Sequence, residues 1–452
     1  MKQIISFEQA VQYIDSLPRF SECFTMEDTR EFLHHLGDPD RRLRILHVAG
    51  TNGKGSVCAY LRNVLEAANR KVAVFTSPHL VDMRERFVVD GEMISREAFL
   101  EAFLQVYEKL DWRALETRGG YHPTFFEYLF FMAMLIFAQA DPDYCILETG
   151  LGGRLDATNA VARKEIAVIT HISLDHVEYL GHTLESIAGE KAGIMQEGVP
   201  VVYADTCPEV EQVIRGRAHI LSADAYPVSR IDYSFLKNSN KNIDFSYISR
   251  YYGSVSLEIP TFARYQMENC SLALRALEVL AQRQQEADVR APLRFTPEIL
   301  KKGVSACFWP GRMEEVRREV YVDGAHNEDG VRAFLESVAA DGHKGSRHLL
   351  FGVVRDKDYP AMLHLIITSG LFDRLSIVRL NSVRTVSIDS LRQVLDAYPG
   401  IEAAQYPSVP AALQDMLEGQ ASLETYTSPV RIYIAGSLYL AGEVKAVLQQ
   451  RT

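Results

Sequence analysis

One ten-residue stretch, His47 to Ser56 (His-Val-Ala-Gly-Thr-Asn-Gly-Lys-Gly-Ser), constrains the fold of this chain more than any other. It reads as an apolar strand, Ile45 to Ala49, passing through a glycine-rich turn into an amphipathic helix carrying Val57, Leu61, Val64 and Leu65. Glycines in such a turn let backbone N–H groups close around phosphate oxygens at a helix N-terminus, whose dipole favours anions. Thr51, Asn52, Gly53, Lys54, Gly55 and Ser56 are therefore the expected triphosphate-binding residues, Lys54 as a point charge for the β/γ region and the Ser56 hydroxyl as a Mg²⁺ ligand. The spacing is not that of the common P-loop, since only Thr51 and Asn52 separate Gly50 from Gly53-Lys54.

Further strand-like runs alternate with helical patterns: Val72 to Thr76, Tyr144 to Glu148, Ile166 to His171 and Val199 to Tyr203. That rhythm predicts a largely parallel sheet with helices on both faces, and ligands on such sheets sit beyond the carboxyl ends of the strands. From Asp224 to Ile259 the pattern turns to Tyr- and Ser-rich alternation, predicting a small antiparallel insertion. A helix from Tyr265 to about Glu286 follows. A second βα series, Glu319 to Val322, His348 to Phe351, Leu375 to Leu380 and Arg431 to Ala435, predicts a smaller α/β, Rossmann-like domain. With 452 residues the chain is long enough for two domains, here 1–308 and 309–452.

A formal charge of −11 argues against binding to nucleic acid or anionic membrane. Six scattered cysteines (Cys23, Cys58, Cys145, Cys207, Cys270, Cys307), none in a Cys-x-x-Cys pair, indicate neither a zinc site nor a disulfide framework. The N-terminus lacks signal-peptide features, which predicts a cytoplasmic protein. The longest apolar run, Tyr128 to Ala138, is too short to span a bilayer and reads as a buried helix.

Candidate polar groups gather at the predicted strand ends. Glu148 ends one strand, where a carboxylate can meet a metal on the triphosphate, and the glycine-rich Thr149 to Asn159 follows it. Asp175-His176 follows the next strand; an imidazole there would suit Mn²⁺ as well as Mg²⁺. In the second half, Arg312 suits adenine stacking or phosphate pairing. Asp323 suits a ribose hydroxyl or a substrate ammonium, and His326 shares its loop.

Together these segments resemble the folylpolyglutamate synthase and dihydrofolate synthase family of the Mur ligase superfamily. The resemblance runs through the phosphate loop, Ser77-Pro78-His79-Leu80, Thr124-Phe125-Phe126-Glu127, Glu148 to Asn159, Ser173 to His176, Glu190 to Ile194, Trp309 to Arg312, Asp323 to Asn327, Asp356-Lys357-Asp358 and Gly436 to Leu440. It implies that Ser56, Glu148 and His176 position Mg²⁺, and that Asn269, Arg312 and Asp323 complete the ATP contacts. Ser77, Pro78, His79, Thr124, Phe125, Phe126, Glu127, Arg154, Leu155 and Asp156 would form the folate or pterin site. Lys191 matches a lysine carried as a carbamate in the family, a further metal ligand that requires burial to lower its pKa. Catalysis would rest on Lys54, Lys191 and His326, with K⁺ as an additional cation. Two departures stand out: Ala263 to Asn269 keeps Gln266 and Asn269 but lacks the glycine and histidine common in relatives, and Thr25 to Arg30 replaces a Gly-Leu-x-Arg segment.

The activity so implied is ATP-dependent ligation of L-glutamate to dihydropteroate or a reduced folate through an acyl phosphate, by a monomer. A cell-wall ligase acting on another carboxylate would need a UDP-recognition domain ahead of the phosphate loop, where only about 45 residues stand. A non-ligase ATP-dependent switch would leave the second set of polar loops without a role.

Overall fold

The computed structural model describes residues 6–19, 25–112, 121–239, 241–287, 292–423 and 430–449. Its frame is an eight-stranded sheet built from β1 (Ile45–Ala49), β2 (Val72–Phe75), β3 (Phe87–Val89), β4 (Glu92–Met93), β5 (Tyr144–Glu148), β6 (Ile166–Ile169), β7 (Val201–Ala204) and β8 (Ala225–Val228). The order is β4-β3-β2-β5-β1-β6-β7-β8, parallel except for the β2-β3-β4 edge. β1 lies between β5 and β6, with Val48 opposite Glu148 and Ala49 opposite Ile169. The loops leaving these three neighbours consequently open side by side.

β1 and β5 are buried at every position, as expected of central parallel strands covered on both faces. One face packs Leu46 and Val48 against the helices Lys54–Ala67, Gln266–Glu286 and Pro297–Ser305. The other packs Ile45, Ala73 and Phe75 against Phe125–Ala140, the apolar helix that the sequence places inside. Each of its fully buried aromatic or aliphatic side chains contributes roughly 1.5–3 kcal/mol through removal from water. No helix among the described residues is long and apolar enough to cross a membrane.

β9 (Tyr233–Ser239), β10 (Asn242–Ser249) and β11 (Gly253–Ile259) form the antiparallel insertion. The stretch beginning at Asp224 is not wholly part of it, because β8 pairs parallel with β7 at the edge of the main sheet. Its sequence, Ala-Tyr-Pro-Val, hides this: proline is tolerated only where one side of a strand needs no ladder partner.

The C-terminal sheet comprises β12 (Glu314–Arg317), β13 (Val320–Val322), β14 (Arg347–Phe351), β15 (Arg374–Val378), β16 (Ala403–Tyr406) and β17 (Arg431–Ala435), in the order β12-β13-β17-β14-β15-β16. Only β12 runs antiparallel to its neighbour. β16 escaped the sequence reading because it is a short, half-exposed edge with no apolar run. Five cysteines are free thiols, and Cys23 lies outside the described residues.

Candidate active site

The loops after β1, β5 and β6 meet those after β13 and β17 around a cavity of about 620 Å³, a volume typical of small-molecule sites. Its wall includes Thr51 to Ser56, Ser77, Pro78, Glu148, His176, Lys191, Asn269, Arg312, Asp323 and His326. Residues far apart in sequence are thus brought to one crevice, as the strand-end expectation requires.

The phosphate loop is pinned from below. The N–H groups of Thr51 and Asn52 donate to the His171 carbonyl at 2.9 and 3.2 Å, and Thr170 Oγ1 donates to the Asn52 carbonyl at 2.6 Å. Gly50 has φ +152°, and a Cβ there would stand 1.8 Å from Thr170 Oγ1; Gly53 has φ +91°, and a Cβ would stand 2.2 Å from Asn269 Oδ1. Both glycines are dictated by these close approaches. The helix begins at Lys54, three residues before the first apolar position, Val57, and the residues of its first turn, whose N–H groups have no partner within the helix, line the cavity. Trp309 packs over Gly55 from the segment joining the two halves.

Three charged groups here, Glu148 and Lys191 buried and Lys54 half-buried, have no counter-ion among the described residues. Lys54 Nζ donates to the carbonyls of Gly50 and Thr51, both at 3.1 Å. Glu148, 3% exposed, accepts the Ser77 N–H at 3.0 Å; burial pushes its pKa up, against the pull of Lys54. Lys191, also 3% exposed, donates to the Gly50 carbonyl at 2.8 Å. Burial, reinforced by the Lys54 charge, brings its pKa down to about 7. A helix-end lysine is usually solvated; this one is an available amine near neutrality.

The fit to a divalent cation rests on these groups. A buried carboxylate lacking a cation suits one, and His176 is neutral, its pKa lowered to about 4 mainly by burial, so its imidazole can act as a ligand. Ser56 Oγ accepts from Gln266 Nε2 at 3.0 Å and keeps a lone pair. No group of three or more His, Cys, Asp or Glu side chains is gathered for a metal among the described residues. That suits Mg²⁺, which takes few protein ligands and completes its shell with phosphate oxygens and water.

On the C-terminal side, Asp323 accepts from the Tyr265 hydroxyl at 2.6 Å and from the N–H groups of Met313 and Ala325 at 3.0 and 2.8 Å. Arg312 Nη1 donates to the Gly311 carbonyl at 3.0 Å. His326 Nδ1 lies 2.8 Å from the Gly324 carbonyl, which aims Nε2 towards Asp175, 3.6 Å away.

A seam of paired groups, whose pairing the sequence did not show, joins the two halves. Lys357 Nζ lies 2.5 Å from Asp175 Oδ1, with both side chains more than nine-tenths buried. Asn327 Nδ2 donates to Asp175 Oδ2 at 3.1 Å. Burial alone would raise the Asp175 pKa, yet His326, Lys357 and His176 hold it far below the carboxylate range. Asn52 and Asn327 exchange amide hydrogen bonds at 3.1 and 3.2 Å, and Asn52 also donates to Asp329. His171 lies between Glu268 at 3.3 Å and Asp329 at 3.1 Å; burial opposes its charge, but the two carboxylates prevail and lift its pKa to about 10. Asp175, Asn327, Lys357 and Asn52 fall within the motifs quoted above, so a signal existed; Glu268 and Asp329 lie outside them.

The remaining candidates are not among the residues that line the cavity. Thr124 and Glu127 form the capping box of Phe125–Ala140, and Glu127 also accepts from Thr29 and Tyr121, each at 3.0 Å. Phe126 packs under Gly150. Asp156 is buried and accepts the N–H groups of Gly150 and Leu151 at 2.8 and 2.9 Å, shaping the glycine loop that lines the cavity. Arg154 pairs with Glu190 at 2.9 Å on the surface, and Leu155 is 66% exposed. His79 accepts from Arg86.

Two family models match this chain: the Mur ligase middle domain over residues 48–277, and the glutamate ligase domain of Mur ligases over 311–427. The folylpolyglutamate synthase of Lacticaseibacillus casei is 30% identical over 448 residues, 98% of this chain and 99% of the relative. The dihydrofolate synthase/folylpolyglutamate synthase of Bacillus subtilis is 34% identical, covering 80% of this chain and 83% of the relative. Among solved structures, Mycobacterium tuberculosis folylpolyglutamate synthase complexed with ADP and AMPPCP aligns with a TM-score of 0.86 at 25% identity over 98% of both chains. An FPGS–AMPPCP–folate complex aligns at 0.80 with 28% identity, over 98% of this chain and all of that one.

Proposed function

Since this chain belongs to the folylpolyglutamate synthase and dihydrofolate synthase family of Mur ligases, we propose that it uses ATP to join L-glutamate to the carboxylate of dihydropteroate or a reduced folate. The observation that carries this reading is the convergence of an open phosphate loop and the His326 loop of the second half on one cavity. Relatives complexed with AMPPCP and with folate support ATP and a folate as the two large substrates.

The chemistry follows from the charges. The acid's carboxylate attacks the γ-phosphorus of ATP, forming an acyl phosphate and releasing ADP. The glutamate amine then displaces phosphate to give the amide. Lys54 and the N–H groups of the loop stabilise charge on the transferring phosphoryl group, aligned in advance because Thr170, His171 and Asn269 fix the loop. Thr51 to Ser56, Asn269, Arg312 and Asp323 bind the nucleotide. Ser56, Glu148 and His176, with Lys191 as a carbamate, would hold Mg²⁺, which when bound neutralises charge on the triphosphate. His326 contacts phosphate or glutamate across the cleft. Residues 1–308 carry the phosphate loop and the acid, residues 309–452 the glutamate and the nucleotide contacts Arg312 and Asp323. Closing the halves keeps water from the acyl phosphate. The same reading carries a monomeric, cytoplasmic enzyme.

Mass spectrometry of products from ATP, Mg²⁺ and L-glutamate, with dihydropteroate or a tetrahydrofolate offered separately, tests the reading. We expect an added glutamyl unit with at least one acid; ATP hydrolysis without any such product sinks it. The carbamate is checked by a ¹³C resonance from labelled bicarbonate, expected in the wild type and lost in Lys191→Ala.

A further inference from the structure

The Lys191 amine is fixed at its tip by the Gly50 carbonyl, and the backbone that carries it is fixed from behind the cavity. Lys191 lies in the last turn of the helix Leu184–Ala192, and a helix end leaves carbonyls in need of donors. The segment from Arg154 to Lys164 supplies three donors there. The Arg154 N–H meets the Glu190 carbonyl at 2.8 Å, Asn159 Nδ2 the Gly193 carbonyl at 3.1 Å, and Lys164 Nζ the Ile194 carbonyl at 2.6 Å. Lys164 Nζ also donates to Asn159 Oδ1 at 2.5 Å, and Asn159 Nδ2 to the Arg154 carbonyl at 3.1 Å, so the two side chains hold each other as well as both backbones. Those backbones touch closely: a Cβ on Gly193 would stand 2.5 Å from Arg154 Cα, and one on Gly153 would stand 3.1 Å from Lys191 Cα.

Lys164 is 2% exposed and forms no ion pair among the described residues. A buried ammonium is costly, and an apolar side chain of the same length would pack there without that cost. What the lysine supplies is donors. Burial brings its pKa down to about 7 against the pull of Asp156, and a neutral amine retains two N–H bonds, one for each of its two oxygen partners. The contacts therefore survive loss of the charge. Neither Asn159 nor Lys164 lines the cavity, so any effect on the reaction passes through the backbone they tie down. We propose that Asn159 and Lys164 are positioning residues that lock the helix end bearing Lys191 to the glycine loop, and so hold the Lys191 amine where it is carboxylated. In that step the lone pair of the neutral amine forms the N–C bond to CO₂ and one N–H proton leaves to water, giving the carbamate anion. The inference rests on the carbamate of the ligase reading above and names what keeps it in place.

The ¹³C signal from labelled bicarbonate and steady-state kinetics of Asn159→Ala and Lys164→Met, each measured well below its melting temperature, test this. Asn159→Ala should lower the carbamate signal and kcat together, kcat by about 10- to 100-fold, with the KM values for ATP, acid and glutamate within about threefold of the wild type. Lys164→Met should show a smaller deficit in the same sense, since the Asn159 amide still reaches the Gly193 carbonyl. Excess bicarbonate should restore most of the lost kcat in both variants by mass action, and none in Lys191→Ala, where no amine remains. A deficit that bicarbonate does not relieve belongs to a merely structural pair and overturns the proposal, as does a full carbamate signal with full kcat in both variants. A wild type that ligates glutamate without a carbamate overturns this proposal alone. One that shows neither carbamate nor ligation overturns the ligase reading with it.

Discussion

The cleft contains two groups of buried and half-buried charges built in opposite ways. Along the seam between the halves every charge meets its opposite: Asp175 with Lys357, and His171 with Glu268 and Asp329. Around the phosphate loop the charges stay open, with Lys54 and Lys191 donating to carbonyls and Glu148 accepting one backbone N–H. Compensated charges fix a geometry before any ligand arrives. Uncompensated ones raise the energy of the empty site, and the ligand that neutralises them recovers it.

The largest effect should come from removing an open charge that acts on the transition state. Lys54→Ala should lower kcat by about 10²–10³-fold with a smaller change in the KM for ATP, while stability holds. An unchanged kcat, measured at saturating ATP, would place Lys54 with the structural charges. Breaking the seam should read differently. Asp175→Ala leaves Lys357 buried and unpaired, a loss of up to about 3–5 kcal/mol, lessened if the halves part and water returns to the lysine. X-ray scattering of the ligand-free variant should show a larger radius of gyration than the wild type; an unchanged radius with normal stability denies the seam its role.

The smallest effect sharpens the contrast at a third kind of charge. Lys164 is 2% exposed and donates to Asn159 Oδ1 at 2.5 Å and to the Ile194 carbonyl at 2.6 Å; burial brings its pKa down to about 7. Between about 7 and the ordinary 10.5 the unfolded chain holds a proton that the folded one lacks. Stability therefore rises with pH across that window, and the contribution is lost as pH falls through 7. The slope from one such group is at most about 1.4 kcal/mol per pH unit. Lys164→Met should flatten the pH dependence of the urea unfolding free energy by up to that amount, leaving the share of Lys191. An identical slope in the variant would mean that Lys164 stays charged in the fold.

How far the sequence could be read depended on whether a residue's role was local. The phosphate loop was legible because its glycines, its lysine and the helix it opens are contiguous, and Phe125–Ala140 because an apolar run of that kind must be buried. β8 was misassigned since Pro227 masks an edge strand, and β16 was missed since half-exposed strands leave no apolar trace. Thr124 and Glu127 were read as folate-site residues from their motif alone; that they also cap a helix, and that Thr29, 98 positions away, holds Glu127 together with nearby Tyr121, became visible only in the structure.

By itself the sequence determined the alternating strands and helices, the phosphate loop and the order of motifs that marks the family, because backbone sterics and apolar periodicity act over a few residues. Tertiary structure alone decided which charges are compensated. Lys191 and Lys357 look alike as letters, yet one donates to a backbone carbonyl and the other meets a carboxylate 182 positions away. Burial and counter-charge are properties of what packs around a residue: burial brings the Lys191 pKa down to about 7, whereas Lys357 sits 2.5 Å from Asp175 Oδ1.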